Sequence, residues 1–166
     1  MENINVGMGE CKISKAKDSN LVAPGLGSCI GLILYDPINK IGAMAHVVLP
    51  DSTTTSKEIT TPGKYADTAV PYIIEQITNA GANKRNLVVS IAGGAQMFTL
   101  EKGSNVLNIG TRNNIAVKAA LTKAGLKLNA SDTGGNKGRT LRIDINTGTV
   151  YVRSIGQPEI ILGGNL

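Results

Sequence analysis

The sequence predicts an α+β fold in which β-sheets stack as a sandwich, and three observations support this class. Short segments rich in β-branched and aliphatic residues outnumber the helical segments. Several of these segments are joined by tight turns, which is typical of β-hairpins. Two longer segments carry apolar residues at the three- and four-residue spacing of amphipathic helices. Hairpin-linked strands that outnumber the helices favour a mixed α+β sandwich.

The composition is that of an ordinary globular domain. The chain has 166 residues, of which 42% are hydrophobic and 17% are charged, and it contains 20 glycines but no tryptophan. We expect a single domain over residues 1–166, packed mainly by aliphatic side chains. The formal net charge of +5 suits an acidic partner surface. The sequence has no dense Lys/Arg run and no aromatic stacking set, which argues against nucleic-acid binding.

The expected location is the cytoplasm, with no membrane insertion. The chain starts Met1-Glu2-Asn3, which lacks the basic region of a secretory signal, and its apolar runs are shorter than the roughly 18 residues of a membrane span. Cys11 and Cys29 form no CxxC motif and are expected to be free thiols. Two cysteines and one histidine lack the paired spacing of a metal site, so no metal and no cofactor are expected.

Four short strands are predicted in the N-terminal third, over residues 4–9, 11–16, 30–35 and 41–48. The first two are separated by a tight turn, and the last two form a hairpin. Residues 17–24 are polar and are expected to form a loop. Residues 51–63 are rich in Ser and Thr and predict a second loop, long enough to border a functional site.

The first predicted helix begins near Ala66 and ends at Gly81. Pro71 lies inside this pattern and is expected to kink the helix or to mark a later start. The apolar run 87–92 predicts a buried strand that leads into two consecutive glycines.

The second predicted helix covers residues 111–124. Its inward side chains are expected to be Ile115, Ala116, Ala119, Ala120 and Ala124. Three further strands are predicted over residues 126–131, 139–145 and 149–155, and a Gly-rich loop over residues 132–136.

Cys29 and His46, the only histidine, stand on the two arms of the predicted hairpin. If Asp36 and Asn39 close a two-residue turn as partners, Cys29 lies directly opposite His46, with Cβ atoms roughly 4.5–5.5 Å apart. A thiol beside an imidazole is the minimum equipment for nucleophilic acyl chemistry.

A longer turn competes with this register. A loop with Asn39 in the left-handed conformation shifts the pairing by one residue. His46 then leaves the face of Cys29 unless a bulge at Gly42 restores it. Taken alone, Cys29 also fits a buried core thiol, as Cys11 does.

Several short blocks follow one another along nearly the whole chain. They are Gly25-Leu26-Gly27-Ser28-Cys29, Asp36-Pro37, Gly42-Ala43-Met44-Ala45-His46, Leu49-Pro50, Pro62-Gly63-Lys64-Tyr65-Ala66-Asp67, Gly93-Gly94-Ala95-Gln96-Met97-Phe98, Asn108-Ile109-Gly110-Thr111-Arg112-Asn113 and Asp132-Thr133-Gly134-Gly135-Asn136. In this order they resemble the CheD family of chemoreceptor glutamine deamidases.

The resemblance implies a layered α/β/β/α sandwich with mixed sheets, related to the catalytic domain of the cytotoxic necrotizing factor toxins. It implies a protein-glutamine deamidase that converts chemoreceptor glutamines to glutamates through a thioester. The family nucleophile corresponds to Cys29 and its histidine to His46. The implied partners are the chemoreceptors and the chemotaxis phosphatase CheC, and a methylesterase side activity would use the same thioester.

One position departs from the family pattern. The family's third catalytic residue is a threonine, and Ala23 occupies its place here. A backbone carbonyl near Val22 or Ala23 is one substitute that would orient His46. The other interpretation is a weakly catalytic or non-catalytic adaptor that regulates CheC or the receptors by binding.

Further site residues are predicted around this pair. Backbone N–H groups near Gly27 and Ser28 are expected to stabilise the oxyanion. Asp132, Thr133 and Asn136 are candidates for the substrate cleft or for ordinary turn residues. Phe98 is a candidate partner contact or a core residue.

Overall fold

The structure is a computed structural model that describes residues 1–53, 55–97 and 108–163. These residues form ten strands and two α-helices. The elements are β1 (Glu2–Asn5), β2 (Cys11–Ser14), β3 (Ser19–Leu26), β4 (Ile30–Asp36), β5 (Ile41–Val47), α1 (Ala66–Asn79), β6 (Val88–Gly93), α2 (Ile109–Lys123), β7 (Ala130–Thr133), β8 (Arg139–Asp144), β9 (Val150–Ser154) and β10 (Ile160–Gly163).

The strands form two five-stranded sheets. The first sheet has the order β1-β3-β8-β9-β10 and the second has the order β2-β5-β4-β6-β7. The pairs β1–β3 and β6–β7 are parallel, whereas the remaining neighbours are antiparallel. Both sheets are therefore mixed, and the predicted α+β class is confirmed.

Strand β4 shows how the two sheets share the core. Its side chains alternate, with Leu32 and Leu34 packed beneath the helices and Ile33 and Tyr35 packed between the two sheets. All seven residues of β4 are buried, because one face meets the helices and the other meets the first sheet. Each fully buried aliphatic side chain contributes about 1.5–3 kcal/mol to folding.

Both helices pack on the outer face of the second sheet, since their buried side chains belong to the same apolar cluster as the outward residues of β4, β5 and β6. The described residues therefore form the layer order α/β/β. The second helical layer of the α/β/β/α arrangement expected from the sequence is not present among them. No helix in the described parts of the chain has the length and apolar character needed to cross a bilayer.

Helix α1 begins at Ala66 and includes Pro71, so the later start allowed by the sequence is wrong. Pro71 is the sixth helical residue, and its ring removes one backbone hydrogen bond in the second turn. The helix ends as predicted, with Gly81 just beyond it in the left-handed region at φ +115°.

Helix α2 confirms only part of the predicted inward face, since Ala116, Ala120 and Ala124 pack against the core at partial burial and Ala119 is exposed. Its buried residues are Gly110, Asn113, Val117 and Leu121, whereas Ile115 is 53% exposed. The fully buried stripe has the expected helical spacing but contains a glycine and an asparagine. A prediction from hydrophobicity alone therefore favours the adjacent alanine-rich side.

The N-terminal strands also differ from prediction. β1 and β2 do not form a hairpin with each other, because β1 pairs with β3 in one sheet and β2 pairs with β5 in the other. The predicted loop 17–24 is largely the buried strand β3. Its polar residues are tolerated there because Ser19 Oγ donates to the Ala16 carbonyl (2.7 Å) and Asn20 Nδ2 donates to Asn3 Oδ1 (2.8 Å). Strand β10 was not predicted.

The β4–β5 hairpin turns through residues 37–40, since Asp36 pairs with Ile41. The left-handed residue is Lys40, at φ +53°, and not Asn39. The buried Asp36 carboxylate accepts hydrogen bonds from the N–H groups of Ile38 (2.9 Å), Asn39 (3.1 Å) and Asn83 (2.8 Å). Burial opposes ionisation, but these hydrogen bonds outweigh it and lower the pKa of Asp36 below its ordinary value.

We expect Asp36→Asn to lower the free energy of unfolding by about 1.5–3 kcal/mol at pH 7, because an amide cannot accept the same set of hydrogen bonds. A lowered native pKa contributes stability above the unfolded pKa of roughly 3.9, and this contribution is lost as the pH falls through the native pKa. The difference between wild type and variant should therefore shrink below about pH 4. Urea unfolding at pH 7, 4 and 3 measures it. The exposed Asp18→Asn is the matched control, and an equal effect in both variants would contradict the assignment.

Candidate active site

The register of the hairpin places Gly31, and not Cys29, opposite His46. The last ladder pair is Ile30 with Val47, and Cys29 precedes β4 by one residue. The predicted direct pairing of Cys29 with His46 is therefore wrong. The competing longer turn is present, but it displaces the pairing by two residues and not by one.

A displacement of two residues keeps both side chains on the same face of the sheet, because side chains alternate with a period of two. Cys29 packs in the cluster between the sheets, with Ile33 and Met44. His46 lies two residues from Met44 on β5 and is only 3% exposed. Cys29 and His46 therefore project to the same face, two residues out of direct register, and among the described residues no hydrogen bond joins Cys29 Sγ to the imidazole.

The imidazole of His46 is oriented by the backbone of the N-terminal segment. Its Nδ1 lies 3.0 Å from the carbonyl oxygen of Val6. A carbonyl only accepts, so Nδ1 carries the proton and Nε2 is left with a free lone pair. The Val6 N–H in turn donates to the Val22 carbonyl at 2.7 Å, which ties this segment to β3.

The orienting group is therefore Val6, in place of the Val22 or Ala23 carbonyl expected from the sequence. The Val22 carbonyl already accepts from Val6, and Ala23 is buried within the β3–β8 ladder. No local pattern marks Val6, because it is 40 positions from His46 in the chain. The parallel pairing of β1 with β3 and the bonds of Gly9 N to the His46 carbonyl (2.8 Å) and of His46 N to the Glu10 carbonyl (3.0 Å) bring it there.

The segment that carries Cys29 is held by its carbonyl groups. The carbonyls of Gly27, Ser28 and Cys29 accept from Ala95 N, Asn113 Nδ2 and Gly94 N, each at 2.9 Å. Within residues 1–53, 55–97 and 108–163, the N–H groups of Ser28 and Cys29 have no acceptor. The arrangement leaves these two donors available for a developing oxyanion.

The glycines after β6 allow the backbone to pass close to this segment. Gly93 has φ +114°, and a Cβ built there would lie 2.1 Å from the Cys29 carbonyl oxygen. Met97 borders the same place, because a Cβ on Gly27 would lie 3.1 Å from Met97 Cγ. The sequence predicts that these consecutive glycines let the backbone pass closely, and this is confirmed; that they approach the Cys29 segment is not visible in the sequence.

The Gly-rich loop adjoins the end of β6. Thr133 pairs with Gly93, and Gly134 N donates to the Gly93 carbonyl at 3.0 Å. A shallow cavity of about 270 Å³ lies here, lined by Asp132, Thr133, Gly134, Gly135, Asn136, Lys137, Arg139 and Ser154. The predicted cleft residues therefore share one surface depression, which joins the Cys29 segment only through Gly93 and whose lining does not include Cys29 or His46.

Asp132 has a structural partner in Arg139, which is 5% exposed. Arg139 Nη1 donates to Asp132 Oδ1 (2.6 Å) and to the Asp132 carbonyl (2.8 Å), and Nη2 donates to the carbonyls of Gly134 and Lys137. The guanidinium thus holds the conformation of the loop through hydrogen bonds to Asp132, Gly134 and Lys137.

We expect Arg139→Lys to lower the free energy of unfolding by about 1.5–3 kcal/mol, because a single ammonium cannot reach four acceptors on opposite sides of a planar group. Urea unfolding measures this loss. The exposed Arg153→Lys on the adjacent strand should change stability by less than about 0.5 kcal/mol. Similar losses in the two variants would show that the loop does not depend on the guanidinium.

The chain was compared with known proteins. The family model described as CheD chemotactic sensory transduction matches residues 48–154. A "Probable chemoreceptor glutamine deamidase CheD" of Symbiobacterium thermophilum is 48% identical over 154 residues, covering 93% of each chain. Proteins with the same name from Desulforamulus reducens and Clostridium botulinum are 44% and 45% identical, covering 93% and 94% of this chain and 92% and 95% of their own length. The chain belongs to the CheD family. The resemblance stated from the sequence is confirmed.

Both thiols of this CheD-family chain have a pKa above the ordinary value, because burial disfavours both thiolates. Burial raises the pKa of Cys11 to about 12. Burial also raises the pKa of Cys29 above its ordinary value. Cys29 is therefore a neutral thiol at neutral pH in the free protein.

Phe98, the predicted partner contact, lies outside the described residues. Among the described residues, no group of three or more His, Cys, Asp or Glu side chains is arranged to hold a metal ion.

Proposed function

We propose that this protein is a protein-glutamine deamidase that converts chemoreceptor glutamines to glutamates, with Cys29 as nucleophile and His46 as general base and acid. The observation that carries the proposal is the pair itself. Cys29 and His46 share the inter-sheet face, and the Val6 carbonyl holds the imidazole in the tautomer whose Nε2 accepts a proton. The named relatives supply the substrate class.

The first half of the proposed reaction forms a thioester. His46 Nε2 accepts the Cys29 proton as Sγ bonds to the carboxamide carbon of a substrate glutamine. The carbonyl oxygen becomes an oxyanion that accepts from the N–H groups of Ser28 and Cys29. The C–N bond then breaks, and His46 returns the proton to the departing ammonia.

The second half releases glutamate. His46 takes a proton from a water molecule, whose oxygen bonds to the thioester carbon. The C–S bond breaks and Cys29 regains a proton from His46. Atoms and charge balance with water consumed and ammonia released, so the proposed reaction uses no cofactor.

The raised pKa of Cys29 favours one of the two protonation schemes. A thiol that burial keeps neutral transfers its proton to His46 as the C–S bond forms, and not in a preformed thiolate–imidazolium pair. A bound substrate that covers the site would exclude water, so the proton would pass directly from Cys29 to His46.

Ala23 does not remove the orienting function. The third member of such a site has to accept a hydrogen bond from the imidazole, and the Val6 carbonyl does so at 3.0 Å. We therefore propose that the protein is catalytically competent without the threonine hydroxyl. The departure at Ala23 remains the feature that supports the alternative, an adaptor that binds receptors or the phosphatase CheC.

Mass spectrometry of purified receptor cytoplasmic fragments tests the proposal. Wild type should convert specific glutamines to glutamates, and Cys29→Ala should lower the rate by about 10³-fold or more. Cys11→Ala is the matched control, since this second thiol is on the helix-facing side, and it should retain activity. Binding of receptor or CheC without any mass change in wild type would establish the adaptor function. Methanol release from methylated receptor would reveal the esterase side activity.

The proposal also covers the domain organisation of the protein, its location and its cleft residues. Residues 1–166 act as one domain, and its two-sheet core is related to the toxin catalytic domain. The protein works in the cytoplasm. Thr133 and Asn136 border the receptor segment in the cleft lined by the Gly-rich loop.

A further inference from the structure

We propose that Asn113 is a positioning residue that holds the Cys29 segment and the His46 segment at a fixed separation. This inference rests on Cys29 and His46 being the reacting pair. It assigns a role to a residue that the proposed chemistry does not use, in the block Asn108–Asn113.

The side-chain amide of Asn113 makes one contact to each segment. Its Nδ2 donates to the Ser28 carbonyl at 2.9 Å and to the Val48 carbonyl at 2.9 Å. Ser28 directly precedes the nucleophile, and Val48 follows His46 by two residues. Both protons of the amide nitrogen are used, and the side chain is 0% exposed.

The contact lies where the backbone ladder between the two arms stops. The last pair of β4 and β5 is Ile30 with Val47. Beyond it the chain turns away, because the Val48 N–H donates to the Lys64 carbonyl at 2.9 Å. Asn113 therefore supplies a side-chain connection between the arms one step beyond the last rung, at the level of the nucleophile.

The start of α2 brings Asn113 into this gap. Asn108 caps the helix by accepting from Thr111 N at 2.8 Å. Gly110 packs against the glycine segment after β6, since a Cβ there would lie 2.4 Å from the Ala95 carbonyl oxygen. Asn113 follows about one turn later on the same inward face, so its amide points at the hairpin.

The residue type supports a functional reason for this placement. Asparagine is a poor helix former, and burying an amide is unfavourable unless its polar atoms are paired. Within the described residues, Asn113 Oδ1 is buried without a hydrogen-bond partner. An apolar residue would suit the helix better here, so the two donated hydrogen bonds are what the asparagine contributes.

Asn113→Leu is the principal test, because leucine has the same branching at Cγ and no donor. We expect kcat for deamidation to fall by about 10–100-fold with KM changed less than about 3-fold, since displacement of the pair affects the chemical step more than binding. The alkylation of Cys29 by iodoacetamide should also require a higher pH, because His46 is no longer held within reach of the thiol. Asn113→Ser, whose hydroxyl reaches one carbonyl at most, should give an intermediate loss and covers the case in which the leucine variant fails to fold.

Val117→Ala is the matched control. Val117 is buried one turn further along the same face of α2, so its truncation destabilises the helix packing while the Asn113 side chain and its two hydrogen bonds are kept. When its urea midpoint falls as much as that of the Asn113 variants, Val117→Ala should keep kcat within about 3-fold of wild type. Its alkylation profile should be unchanged. The inference is overturned if folded Asn113 variants keep the wild-type kcat and profile, or if Val117→Ala loses as much activity.

The two proposals fail in different ways. If wild type shows no Cys29-dependent deamidation, the proposed function fails, and the alkylation profile still reports whether Asn113 positions the thiol. If wild type deamidates and the Asn113 variants match it, only the positioning role fails.

Discussion

His46→Asn is expected to lower kcat/KM for glutamine deamidation by about 10³-fold, within the range for loss of a general acid–base group. The asparagine amide nitrogen replaces Nδ1 as the donor to the Val6 carbonyl, so the anchor is kept. The Nε2 lone pair is lost. The variant therefore separates the basic function of the imidazole from its structural contact.

The pH dependence of Cys29 alkylation provides the second readout for this variant. Burial raises the pKa of Cys29 even with His46 present, so at neutral pH its alkylation depends on His46 accepting the thiol proton as the C–S bond forms. In His46→Asn the alkylation rate should therefore rise at higher pH than in wild type. Circular dichroism and urea unfolding control for folding. Equal activity or equal alkylation profiles in wild type and variant would exclude His46 as the base.

Gly93→Ala is expected to lower the free energy of unfolding by about 2–5 kcal/mol and to abolish measurable deamidation. Two effects combine. The φ of +114° is accessible to glycine at little cost, and the added Cβ would lie 2.1 Å from the carbonyl oxygen of Cys29. Backbone atoms cannot rotate away as a side chain does, so the segment that carries the nucleophile has to move.

Gly125→Ala is the matched control for the conformational term alone. Gly125 also has a positive φ, of +77°, but no atom lies within 4 Å of the position of its Cβ. It should lose only about 1 kcal/mol and retain deamidation, because it lies beyond the end of α2 and away from the site. Urea unfolding and the receptor mass-spectrometric assay measure both variants. If Gly93→Ala costs no more stability than Gly125→Ala, the close approach to Cys29 does not constrain the fold.

The hairpin illustrates how far local patterns reach. The strands over residues 30–35 and 41–48 were predicted within one residue of their bounds, because both are continuous apolar runs on either side of a strong turn signal. The pairing register was wrong by two residues. The turn length depends on the bonds that Asp36 accepts, one of them from the distant Asn83 N–H, and a local pattern does not contain that contact.

The face of α2 shows a second limit. Three of the predicted inward alanines pack against the core only at partial burial, and the fully buried stripe includes Gly110 and Asn113. Gly110 is inward because only glycine fits against the Ala95 carbonyl, and Asn113 is inward because two carbonyls accept from its amide. Close approach and side-chain-to-backbone bonds outweigh hydrophobicity at these positions, and neither is visible before the sheet is assembled.

The sequence alone determined the α+β class, the family and the two groups proposed to react. Each of these depends on local periodicity or on blocks of neighbouring residues. Assembly of the two sheets was needed to show that the thiol and the imidazole share a face, that the Val6 carbonyl contacts the imidazole, and that Asn113 connects the two arms. These three features are contacts between segments far apart in the chain, and they exist only once parallel pairing and helix docking have brought those segments together.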